Sequence, residues 1–102
     1  VAYQQRIDAE KNALNQNADV KYNISSGQLM LTLGKSMSNA NGTFQFYKPD
    51  NAGKDFNTLF QVNDTGFYSA TIPQLTHGQW KVNVSWNIDS LEYFYEKKIF
   101  IP

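Results

Sequence analysis

Between Gly78 and Trp86 the chain reads Gly-Gln-Trp-Lys-Val-Asn-Val-Ser-Trp, with apolar residues at 80, 82, 84 and 86 and polar ones at 81, 83 and 85. Strict alternation of this kind is the signature of a half-buried β-strand, because successive strand side chains point to opposite faces. The reading puts Trp80, Val82, Val84 and Trp86 on a core face and turns Lys81, Asn83 and Ser85 to water. This is expected to be the central core strand of a small all-β domain.

The rest of the chain falls into place around it. Residues 1–17 are rich in Gln, Asn, Ala, Asp and Lys, and Tyr3, Ile7 and Leu14 recur near a 3.6-residue period. That pattern predicts a polar helix, ended by Asn15-Gln16-Asn17 and packed lightly on whatever follows. From Asp19 the period becomes 2. Val20, Tyr22 and Ile24 then face inward, and the Ser25-Ser26-Gly27 turn leads to a second strand with Leu29, Leu31 and Leu33 inward. Residues 34–42 read as a loop. Phe44 and Phe46 belong to a third strand, and Phe56, Thr58, Phe60 and Val62 to a fourth. A fifth carries Tyr68, Ala70 and Ile72 and stops at Pro73, which has no ladder donor.

Leu75 is expected to plug the corner before Gly78. After the central strand, a turn at Asn87–Ser90 leads to a last one with Leu91, Tyr93, Tyr95, Ile99 and Ile101 inward and Lys97 breaking the face. About seven short strands separated by turn chemistry predict an immunoglobulin-like β-sandwich over residues 18–102, preceded by the helix at 1–17. A barrel is the runner-up. Leu75, Gly78, Trp80, Val82, Val84 and Trp86 form the expected structural core.

Composition narrows the function classes. Nine basic residues balance nine acidic ones, and the formal charge of zero offers no electrostatic footprint for nucleic acid. The chain has no cysteine, which removes disulfides, thiolate nucleophiles and thiolate metal sites. It contains no Gly-rich phosphate loop, nucleophile elbow or His-Glu-x-x-His, and with one histidine no triad is supported. No enzymatic activity and no cofactor is expected.

His77, Met30 and Met37 are the only trio whose chemistry suits a soft Cu(I) site, but no two of them stand at ligand spacing. Tyr47, Leu59, Phe67, Phe94 and Phe100 fall on the parity opposite to the core and form a candidate partner patch. Through such aromatics the chain would also suit a secreted or surface module that binds carbohydrate or another ligand.

The run Leu75-x-x-Gly78-x-Trp80-x5-Trp86, with the ending Glu96-Lys97-Lys98-Ile99-Phe100-Ile101, resembles the extracytoplasmic domain of the FixH family. The likeness extends to Gly42-Thr43-Phe44-Gln45-Phe46-Tyr47-Lys48-Pro49 and to the polar segment from Tyr3 to Leu14. It implies a domain on the periplasmic side of a bacterial inner membrane, held by an upstream N-terminal transmembrane helix, with the helix at 1–17 as its membrane-proximal stalk. FixH-like proteins are associated with FixG, a membrane iron–sulfur protein, and FixI, a copper-type cation pump, in maturation of the cbb3-type cytochrome oxidase. The resemblance therefore implies assembly or copper provision through protein contacts, and it brings no catalytic motif with it.

Overall fold

The apolar period changes at Asp19, and the computed structural model, which describes residues 3–15, 18–88 and 90–102, changes architecture at the same point. One helix, α1 (Tyr3–Asn15), precedes seven strands among the described residues. They are β1 (Asp19–Asn23), β2 (Gln28–Thr32), β3 (Asn41–Tyr47), β4 (Phe56–Gln61), β5 (Phe67–Thr71), β6 (Gly78–Ile88) and β7 (Leu91–Ile101). They pair antiparallel into a three-stranded sheet, β1-β2-β5, and a four-stranded sheet, β4-β3-β6-β7. The architecture is an all-β sandwich.

The alternating strand chosen from sequence is β6, which lies inside its sheet between β3 and β7. Trp80, Val82 and Val84 are fully buried and Trp86 nearly so. Around Trp80 the packing is specific. Its Nε1 donates to the Thr76 carbonyl at 2.9 Å, and Phe56 meets the ring edge-on with centroids 5.7 Å apart. The Lys48 ammonium lies 5.3 Å from the ring centroid, a cation–π contact that also shelters the lysine stem. Gly78 is required here by its backbone conformation. Its φ of 122° is unfavourable for any residue with a Cβ, and a Cβ would run into Lys48 Nζ.

Trp86 stacks on Tyr93 at 5.2 Å with only 3° between the rings. Its Nε1 is buried without a partner. Phe44 and Phe46 continue the aromatic layer onto Phe60 and Phe56, at 4.8 and 4.6 Å. From the small sheet Val20, Leu29 and Leu31, with Leu33 just past the end of β2, close the core from the other side, all fully buried. Leu75 is buried at the corner, its N–H donating to the Ile72 carbonyl.

The helix docks more firmly than its polarity predicts. Ala9 and Ala13 are buried, Ala13 belongs to the common core, and the Asn12 Nδ2 donates to the Glu92 carbonyl of β7 at 2.9 Å. Small side chains at 9 and 13 let the helix backbone approach β7, so contact comes from closeness and not from a wide apolar stripe. The side chains of Tyr3 and Leu14, and the residues at 16–17, lie outside the described residues.

Parity reasoning fails at the strand ends. Ile24, expected inward, is 72% exposed. The Asn23 carboxamide accepts the N–H groups of Ser25 and Ser26, so the chain turns after Asn23 and alternation stops one residue early. Leu91, also expected inward, is 52% exposed because the β6–β7 hairpin runs beyond the Trp86–Tyr93 pair, the last buried pair of that ladder. Asn87 and Ile88 belong to β6, not to the turn. The loop expected over 34–42 holds a 3₁₀ turn, Lys35–Met37, which folds Met37 into the core at 3% exposure.

Candidate partner-binding surface

Register assembles the outward face of the four-stranded sheet row by row. In one row Leu59 of β4, Thr43 of β3, Ser85 of β6 and Phe94 of β7 stand side by side. Leu59 and Phe94 are thus three strand spacings, about 14 Å, apart. The next row is Asn57, Gln45, Asn83 and Glu96, and beyond it come Tyr47, Lys81 and Lys98. Phe100 lies one row further, opposite Gln79, with the His77 ring edge-on to it at 5.8 Å.

Four of the five patch residues, Tyr47, Leu59, Phe94 and Phe100, therefore share this outward face. Phe67 does not. It sits on β5 in the other sheet, where it lines a shallow cavity of about 260 Å³ with Asp19, Lys21, Met30 and Thr32. The apolar side chains are islands in a polar field of Thr43, Ser85, Gln45, Asn57 and Lys81. Lys81 pairs with Glu96 at 3.3 Å and lies over the Tyr47 ring at 5.3 Å. Asn83 was expected to face water, yet it is 8% exposed with its Oδ1 unpartnered, walled in by these longer neighbours in the central row.

The trio suited to soft metal chemistry is not brought together. Met37 is in the core, Met30 is on the outward side of the small sheet between Lys21 and Ser69, and His77 is exposed in the loop before β6. Among the described residues no group of three or more His, Cys, Asp or Glu is placed to hold a metal ion.

One polar cluster escaped the sequence reading. Asp19 Oδ1 accepts from Lys97 Nζ at 2.9 Å and from the Tyr95 hydroxyl at 3.0 Å, tying β1 to β7 across the side of the sandwich. Partial burial pushes the Asp19 carboxyl up, but the hydrogen bonds from Lys97 and Tyr95 and the Lys97 charge outweigh it, leaving the pKa below its ordinary 3.8. Burial, and then the Asp19 carboxylate, push the Tyr95 hydroxyl up to about 12. The signal was present in Lys97, whose break in an apolar face needed a partner.

Residues 1–100 match the FixH family model, which is essentially the whole chain. The chain belongs to the FixH family. No curated protein and no solved structure matches it. Among the described residues no helix is long and apolar enough to cross a membrane.

Proposed function

We propose that this FixH-family chain is a non-enzymatic periplasmic domain of an inner-membrane protein, assisting assembly of a cbb3-type cytochrome c oxidase or its copper provision. The observation that carries the reading is the family match over residues 1–100. In this reading the domain works by contact with the membrane proteins of the maturation system, a FixG-like iron–sulfur protein and a FixI-like pump. The outward face bearing Tyr47, Leu59, Phe94 and Phe100 is the contact surface, since its mixed aromatic and polar character suits partners that engage and release. The separation of Met30, Met37 and His77 favours contact over carriage of copper by this domain.

The test is genetic. Deleting the gene in its host is expected to lower cbb3 oxidase activity and the amount of assembled enzyme, and the full-length gene supplied in trans restores both. Normal oxidase in the deletion strain sinks the proposal. If the outward face is the contact surface, a Tyr47→Ala, Phe94→Ala double variant accumulates normally but restores little oxidase.

A further inference from the structure

Strand β4 ends the four-stranded sheet, and among the described residues its outer side pairs with no other strand. The Val62 N–H donates to the Ala40 carbonyl at 2.9 Å, directly continuing the β3–β4 register. Antiparallel ladders alternate bonded with non-bonded pairs. Counting back from Val62, residues 60, 58 and 56 direct their backbone groups to β3, while Asn57, Leu59 and Gln61 direct theirs to the open side. Among the described residues no other backbone group meets those three. Their side chains are exposed, Leu59 to 76%.

The devices that normally blunt such an edge are missing. Phe-Asn-Thr-Leu-Phe-Gln contains no charge and no proline. Beside it lies an open cleft of about 570 Å³ lined by Asn41, Gly42, Leu59, Phe60, Gln61 and Tyr68. The strand is also complementary to itself. An antiparallel copy centred on Leu59 sets leucine against leucine and Asn57 against Gln61, apolar on apolar and amide on amide, along one face.

We propose that β4 is a self-pairing edge, by which two copies of this chain join their four-stranded sheets antiparallel about a two-fold axis at Leu59. The interface is isologous, each copy offering the same three residues. It engages Leu59 at the margin of the outward face and leaves Tyr47, Phe94 and Phe100 open, so it stands whether or not those three contact the maturation proteins.

Sedimentation of the chain over a concentration series tests it. The mass is expected to rise from 11.7 kDa toward twice that value. Asn57→Pro removes an outward N–H without touching the β3 ladder and holds the mass at that of the monomer. Leu59→Lys removes the leucine pair, sets like charges directly opposite each other at the axis and weakens association about two- to thirtyfold. Because Leu59 is exposed, this second variant keeps its fold even if the proline variant loses it. A nitroxide placed through Leu59→Cys is expected to show dipolar broadening in the dimer, and one placed through Phe100→Cys on the far edge is not. A monomer at every concentration overturns the proposal and leaves the edge to a strand from another protein. A dimer indifferent to Leu59→Lys, or broadened only at position 100, overturns it too.

Discussion

The two edges of the four-stranded sheet are built on opposite plans. Strand β7 is guarded on every count: it carries Glu92, Glu96, Lys97 and Lys98, α1 packs along it, the Asn12 amide takes its Glu92 carbonyl, and Asp19 of β1 holds Lys97. Strand β4 has none of these. It is six residues without charge or proline, uncovered among the described residues, with Leu59 in solvent. A bare strand edge is an invitation to pair with another chain. That this chain closes one edge so thoroughly while leaving the other open marks β4 as a surface for use, whereas β7 with its helix is structural.

Trp80 sits where the two plans meet, and replacing it gives the largest expected effect. It stands opposite Ile99 of β7, and its ring meets Phe56 of β4. Trp80→Ala is expected to cost about 3–5 kcal/mol in urea unfolding, through lost burial and the cavity left behind. Hydrogen exchange then shows β4 and β7 losing protection together. If only one edge loosens, the edges are held by separate cores and the shared role of Trp80 is wrong.

How far this was legible in sequence follows from range. Alternation is local, so β6, the inward leucines of β2 and the aromatic parity of β3 and β4 were all readable. The errors sit where a non-local or terminal fact decides. Ile24 and Leu91 keep the right parity but lie past the ends of the buried ladder. Met37 needed a 3₁₀ turn that no period announces. Phe67 was grouped with Tyr47, Leu59, Phe94 and Phe100 because parity says which way a residue faces within its sheet but not which sheet it belongs to. The open edge of β4 was invisible for the same reason, since a strand's neighbours are set by topology.

The second prediction separates the edges. Ala13 is fully buried where α1 meets β7, and Ala13→Leu forces extra volume into that contact. It is expected to cost about 1–3 kcal/mol by overpacking. Faster exchange should appear at β7 amides near Glu92 and Tyr93, with β4 unchanged. Spread of the effect to β4 would show that the helix supports the whole sheet and does more than cover one edge.

The smallest expected effect concerns the Asp19 latch, and it is a matter of pH. Because the folded carboxyl has a lowered pKa, its contribution is complete above the ordinary value of 3.8 and is lost as pH falls through the folded value. Tyr95 works in the other direction. With a folded pKa of about 12 against 10.0, its contribution is complete below pH 10.0 and is lost as pH rises toward 12. The Asp19 and Lys97 side chains remain about one-third exposed, so the pair is screened and Asp19→Asn should cost at most about 1 kcal/mol at neutral pH. Its diagnostic is shape. The difference in stability between parent and variant is constant at neutral pH, shrinks on acidification below 3.8, and has a counterpart above pH 10 that Tyr95→Phe removes. The latch joins β1 to β7 and no titrating group lies within β4, so exchange at Phe56, Thr58 and Phe60, whose amides face β3, corrected for its intrinsic pH dependence, should differ little between parent and Asp19→Asn while β7 responds. A pH-independent difference between parent and variant would reduce the latch to packing and remove one of the guards that distinguish β7 from β4.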